Sequence, residues 1–181
     1  MFKKTVMVVF GGIVGTAIAI SPTFATDMLV ALRSSLGTYL TAEGGGGGEV
    51  RANRPEVGPW ETFKLFDLST GDLNTGDRIC LRTQNGSNYL RVDRGKLDAE
   101  GEACSPEAMF VIIKVDGGSS GTRINACDSI ALRGVESEQY ISAEGGGGTE
   151  LSVDRYHPPG PWETFIFGGQ PNSPTNATSC K

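Results

Sequence analysis

Tyr39-Leu40-Thr41-Ala42-Glu43, the glycine run Gly44–Gly48, and Gly58-Pro59-Trp60-Glu61-Thr62-Phe63 form a pattern that the chain uses nearly twice. The second copy reads Tyr140-Ile141-Ser142-Ala143-Glu144, Gly145–Gly148 and Gly160-Pro161-Trp162-Glu163-Thr164-Phe165. A short apolar motif precedes each, Val30-Ala31-Leu32-Arg33 in one and Ile130-Ala131-Leu132-Arg133 in the other. An internal repeat constrains architecture before any single residue does.

A fainter copy lies between the two. It opens with Ile79-Cys80-Leu81-Arg82, continues as Asn88-Tyr89-Leu90-Arg91-Val92-Asp93 and closes with Ala108-Met109-Phe110-Val111-Ile112. Leu32, Leu81 and Leu132 stand 49 and 51 residues apart, and Tyr39, Tyr89, Tyr140 and Phe63, Phe110, Phe165 keep nearly that spacing. The chain therefore reads as three units of about fifty residues.

Each unit offers four short strands. In the first, alternate apolar residues face one side. The second and third flank a glycine turn, as a hairpin requires, and in the middle unit this turn shrinks to Arg94-Gly95. The fourth is expected over Trp60-Glu61-Thr62-Phe63-Lys64-Leu65, with Phe63 and Leu65 on one face. Three such units predict an all-β fold, a closed barrel capped by hairpins, the β-trefoil. Closure removes the exposed edges that an open sheet must protect. An open solenoid fits less well, because three units would leave two uncapped ends.

The ends bound the domain. Met1–Ala25 reads as an export signal, with Lys3 and Lys4 before the apolar stretch Val6–Ile20 and small residues ahead of a cut after Ala25. The apolar run is shorter than the ~20 residues that span a bilayer. One domain is expected over 26–170, with lobes near 28–77, 78–128 and 129–170, followed by a polar tail over 171–181. The net charge is −5, and about −7 without Lys3 and Lys4, which argues against nucleic acid and membranes as partners.

Four cysteines in an exported chain imply two disulfides. Cys80 lies in the first strand of the middle unit and Cys104 just before its fourth. These strands should be antiparallel neighbours, so Cys80–Cys104 is predicted. Cys127 and Cys180 both belong near the barrel end where fourth strands finish, which predicts Cys127–Cys180.

Trp60 and Trp162 are the only tryptophans, and they are equivalent by repeat. Strand parity places Trp60 opposite Phe63 and Trp162 opposite Phe165, so both should face outward. An outward indole beside a carboxylate, Glu61 or Glu163, suits sugar binding: the ring stacks on a pyranose and the carboxylate accepts hydrogen bonds from hydroxyls. The alternative is that the indole packs under the glycine hairpin and the glutamate caps a turn. The middle unit carries Glu107-Ala108 at this place and lacks the glycine run. Asn53-Arg54 and Asp154-Arg155 are candidate polar rims. Glu43, Asp93 and Glu144 recur in all three units and read as structural, and the glycine runs as flexible hairpin tips. Catalysis finds no support: His157 is the only histidine, and neither a nucleophile–base pairing, a metal-ligand cluster nor a cofactor motif is visible.

The pattern Tyr-Leu-x-Ala-Glu-Gly-Gly-Gly-Gly, then Asn-Arg and Gly-Pro-Trp-Glu-Thr-Phe, resembles the fascin-like β-trefoil domains of bacterial secreted proteins. It is most similar to the family 92 carbohydrate-binding modules, over nearly all of 28–167. The resemblance implies β-glucan binding, with a tryptophan and a glutamate in each lobe forming a site. Carried over by position, Trp60 with Glu61 and Trp162 with Glu163 would form two sites, while Glu107-Ala108 departs from the pattern. The Cys80–Cys104 pair is also similar to the intra-lobe disulfide of ricin-type lectin trefoils.

The expected function is a secreted, extracellular or periplasmic, non-catalytic protein binding a polysaccharide of β-glucan type at two sites. The competing expectation is a protein-binding trefoil, either a protease inhibitor or an actin-crosslinking fascin-like effector. Its contacts would lie on loops such as Asp67–Asp77 or Asp116–Thr122.

Overall fold

Leu32, Leu81 and Leu132 are all buried, and the strands that carry them explain why. A computed structural model of the protein describes residues 25–170 and Cys180. The expected export signal up to Phe24, and the tail apart from Cys180, lie outside the described residues. Twelve strands occur among the described residues, and the remaining regular structure is three short 3-10 turns.

The first lobe holds β1 (Ala25–Arg33), β2 (Tyr39–Ala42), β3 (Val50–Arg54) and β4 (Phe63–Asp67). The second holds β5 (Arg78–Thr83), β6 (Tyr89–Asp93), β7 (Lys96–Gly101) and β8 (Met109–Lys114). The third holds β9 (Ser129–Gly134), β10 (Tyr140–Ser142), β11 (Ser152–Arg155) and β12 (Phe165–Gln170). First and fourth strands pair antiparallel in a closed circuit, β1–β4–β5–β8–β9–β12 and back to β1. The second and third strands of each lobe form a hairpin. The three hairpins meet in turn, through Ser152 opposite Lys96, Glu49 opposite Asp98 and Arg51 opposite Glu150. The result is an all-β, trefoil-like domain in which barrel and hairpin cap both close on themselves.

Equivalent residues fill one core. Phe63, Phe110 and Phe165 are fully buried, each stabilising the fold by about 1.5–3 kcal/mol relative to exposure. Leu65, Ile112 and Phe167 lie two residues further on, on the same face, and join the same cluster. Tyr39 is buried, whereas Tyr89 and Tyr140 are half-buried. Cys80 takes the outward position that Ala31 and Ala131 hold in the other lobes. There it bonds Cys104 with a Cα–Cα distance of 5.8 Å. Cys127 bonds Cys180 with a Cα–Cα distance of 5.3 Å. Both pairs are those expected.

Two expectations need correction. The fourth strands begin at Phe63 and Phe165, not at the tryptophans, because Trp60 and Trp162 belong to tight turns that precede them. The glycine runs are not simply hairpin tips either: each opens with a 3-10 turn, Glu43–Gly45 or Glu144–Gly146, whose last glycine is buried against other parts of the molecule.

Candidate functional site

The Gly-Pro-Trp-Glu-Thr sequence builds a turn whose side chains satisfy its own backbone. Glu61 Oε2 accepts the Gly58 N–H at 2.8 Å, and the Thr62 hydroxyl donates to the Gly58 carbonyl at 2.8 Å. Pro59 restricts φ and has no N–H to leave unpaired. The Trp60 carbonyl accepts the Ala42 N–H at the end of β2, at 2.9 Å. With both flanking residues anchored, the indole is thrown outward: Trp60 is 40 % exposed and Glu61 only 6 %.

The third lobe repeats this closely. Glu163 Oε2 accepts the Gly160 N–H at 2.9 Å, the Thr164 hydroxyl donates to the Gly160 carbonyl at 2.8 Å, and the Ala143 N–H donates to the Trp162 carbonyl at 2.9 Å. Trp162 is 42 % exposed and Glu163 8 %. The outward indoles agree with the parity argument. The glutamates follow the turn-capping alternative, because the glycine N–H is a half-buried donor that needs an acceptor.

The polar rims divide. Arg54 lies over the Trp60 ring, its Cζ 5.4 Å from the centroid, and its Nη2 donates to Glu43 Oε2 at 3.1 Å. Asn53 Nδ2 donates to Glu43 Oε1 at 2.8 Å, so Asn53 supports Glu43. The Asn53 amide, with Arg54 beside it, holds the Glu43 carboxyl below its ordinary value. In the third lobe Arg155 Nη2 donates to Glu144 Oε1 at 2.9 Å, and its Nε lies 3.3 Å from Asp154 Oδ1. Arg155, helped by the Ser142 and Ser152 hydroxyls, holds Glu144 below its ordinary value. Glu43 and Glu144 thus organise their hairpin ends, whereas Asp93, which recurs at this place in the middle lobe, is about half-exposed and lies 3.8 Å from Arg94, so the structural reading holds for two of the three.

Trp60 stands between two clefts. One, of about 360 Å³, lies within the first lobe and is lined by Arg54, Pro55, Glu56, Gly58, Pro59, Trp60 and Glu61. The other, of about 280 Å³, lies between lobes and is lined by Gly44, Gly45, Pro59, Trp60, Gln84 and Asn85. Gly45 has φ +83°, and a Cβ there would lie 3.3 Å from Trp60 Nε1 and 3.4 Å from Asn85 Nδ2. The glycine run therefore lets an indole from its own lobe and an amide from the next meet across bare backbone.

Gln84 and Asn85 were not legible as site residues. They lie in the β5–β6 loop of the second lobe, and a reading that treats each repeat as a unit assigns them to the wrong one. The only available signal was the glycine run itself, which must be covered by side chains from elsewhere.

In the middle lobe Glu107 occupies the tryptophan position and the glycine run is missing. A cleft of about 210 Å³ remains between Arg94-Gly95 and the β9–β10 loop, with Glu107 and Glu136 in its wall.

No protein-family model matches the sequence, and no curated protein matches it. Similarity appears among solved structures. A designed threefold-symmetric protein, ThreeFoil, superposes with a TM-score of 0.60 at 14 % identity, covering 77 % of this chain and 96 % of its own. The SDF2-like protein from Arabidopsis thaliana superposes with a TM-score of 0.65 at 13 % identity, covering 84 % of this chain and 98 % of its own. A mosquitocidal holotoxin matches over 79 % of this chain and 17 % of its own, with a TM-score of 0.60 at 10 % identity. At these identities the likeness concerns the fold alone, and the chain has a β-trefoil-like domain.

Proposed function

We propose that this is a secreted, non-catalytic carbohydrate-binding protein of β-trefoil fold, akin to the fascin-like and family 92 β-glucan modules, which holds a β-glucan polysaccharide through Trp60 and Trp162. The observation that carries the reading is the pair of equivalent, exposed indoles held in turns whose backbone bonds are already satisfied. A flat aromatic presented without ordering cost is what stacking on a sugar ring needs. The two disulfides support an exported location.

Within this reading Trp60 and Trp162 are the contact residues, with Arg54 beside the first. Glu61 and Glu163 position the indoles rather than reaching the sugar as free acceptors. Two weak sites on one rigid domain would engage a polymer by avidity.

Because Trp60 and Trp162 are the only tryptophans, indole fluorescence reports on the proposed sites alone. Titration with β-1,3-glucan or β-1,6-glucan oligosaccharides should shift the emission to the blue and protect it from acrylamide quenching. Emission unchanged by every β-glucan tested would contradict the reading.

The protein-binding alternative has one observation in its favour. Its two candidate loops are joined: Thr75 N–H donates to the Thr122 carbonyl at 2.8 Å, Gly121 N–H donates to the Thr75 carbonyl at 2.9 Å, and Arg123 pairs with Asp72 at 3.2 Å. They present one continuous polar surface on which a partner protein could dock. Substitutions at Asp72 and Arg123, with the tryptophans untouched, would then abolish partner capture.

A further inference from the structure

The two tryptophan sites differ in what the neighbouring lobe contributes. Gly45 and Gly146 are equivalent by repeat, with φ of +83° and +88°. Beside Gly45 stands Asn85 from the second lobe; beside Gly146 stand Leu36 and Ser35 from the first, where a Cβ on the glycine would lie 2.6 Å from Leu36 Cγ and 3.0 Å from Ser35 Oγ. Leu36 N–H also donates to the Gly146 carbonyl at 3.3 Å. Leu36 is 67 % exposed, an apolar side chain at the position by repeat that Asn85 holds in the second lobe.

The orientation of that amide is fixed by its partners. Asn85 Oδ1 accepts the Thr83 hydroxyl at 2.6 Å and the Ser87 N–H at 3.0 Å. A backbone N–H can only donate, so the oxygen must face Ser87 and the Nδ2 group faces the cleft. Among the described residues Nδ2 makes no hydrogen bond, and it points toward Gly45 beside the Trp60 edge. In the other Trp60 cleft the Arg54 guanidinium already lies over the ring. An oriented donor flanking an exposed indole is the arrangement that binds a sugar hydroxyl or ring oxygen while the ring face stacks.

Resting on the carbohydrate reading, we propose that Asn85 is a specificity-determining residue, contributed by the second lobe, that donates a hydrogen bond to the sugar stacked on Trp60. Leu36 makes the Trp162 site the less polar and weaker of the two. The sites are then unequal, and each belongs to a junction between lobes rather than to one lobe.

The experiment isolates each site. Trp162→Ala leaves the Trp60 site and Trp60→Ala leaves the Trp162 site, and retardation is measured in gels containing β-1,3-glucan or β-1,6-glucan. Asn85→Asp keeps the acceptor oxygen for Thr83 and Ser87 but removes the donor. It should weaken retention of the Trp162→Ala protein at least fivefold and change that of the Trp60→Ala protein by less than about 1.5-fold. Leu36→Asn should alter the Trp60→Ala protein alone and strengthen its retention. If both single-site proteins are retained but neither substitution moves its own site by more than twofold, the inference is overturned and the carbohydrate reading stands. If the unmodified protein is retarded neither in these gels nor in one containing mixed-linkage β-1,3/1,6-glucan, the reading itself falls, and this inference with it.

Discussion

Glu61 Oε2 accepts the Gly58 N–H at 2.8 Å from a side chain that is only 6 % exposed. The carboxylate that looked like a sugar ligand in the sequence is the clasp of the turn that displays Trp60. Glu61→Ala should therefore cost about 1–3 kcal/mol, the range for a hydrogen bond to a charged group whose partner is left unsatisfied. Glu61→Gln, which keeps a carbonyl acceptor, should cost less and retain most glycan binding. Urea denaturation with parallel affinity gels distinguishes these outcomes. A stable Glu61→Gln protein with no binding would return the glutamate to the ligand.

Gly45 offers a test of the bare backbone beside the indole. Its φ of +83° disfavours any side chain, and a Cβ would press on Trp60 Nε1 at 3.3 Å. Gly45→Ala should destabilise by about 1–3 kcal/mol and shift the Trp60 emission in the Trp162→Phe background. Gly47, where a Cβ would have open space but φ is +85°, should show the strain without the spectral shift.

Stability should fall with acid through Glu43 and Glu144. Both carboxyls lie below the ordinary value of 4.5 in the folded protein, the first through Asn53 and Arg54, the second through Arg155 and the two serines. A depressed folded pKa gives stability that is present above the unfolded value and lost as pH falls through the folded one. Asp67 runs the other way: burial raises its pKa, so its penalty is relieved as pH drops. The Glu43→Gln/Glu144→Gln variant should thus be less stable at neutral pH and lose less between about pH 5 and pH 3. Denaturant midpoints across that window measure it, and the same acid loss in variant and parent would refute the assignment.

The Cys127–Cys180 bond spans a sequence separation of 53 residues. In the chain-entropy model a loop of that size contributes about 4 kcal/mol. Cys127→Ser/Cys180→Ser should lower Tm by roughly 8–16 °C for a domain of this size. Calorimetry under non-reducing conditions tests this, and a shift below about 3 °C would show that the bond does little for the barrel.

Much of the architecture was legible because the repeat constrains it three times over. Leu32, Leu81 and Leu132 could not all change face together, and Phe63, Phe110 and Phe165 fixed where the fourth strands had to run. The cysteine pairs followed from which strands are neighbours. Legibility failed where a residue's partner lies outside the repeat's own logic. Parity from Phe63 gave the outward face of Trp60 but not its setting: the strand begins only at Phe63, and Trp60 belongs to the turn that Glu61 closes on the Gly58 N–H. The glycine runs hid their role, because Asn85 and Leu36, which help to cover Gly45 and Gly146, come from the following lobe.

The most direct test of the account is affinity electrophoresis of the unmodified protein beside the Trp60→Ala/Trp162→Ala double variant, in gels containing β-1,3-glucan, mixed-linkage β-1,3/1,6-glucan or β-1,6-glucan. The account predicts that at least one glucan retards the unmodified protein and that the folded double variant runs as it does without glucan. Retardation that survives loss of both indoles, or none in any gel, would contradict it.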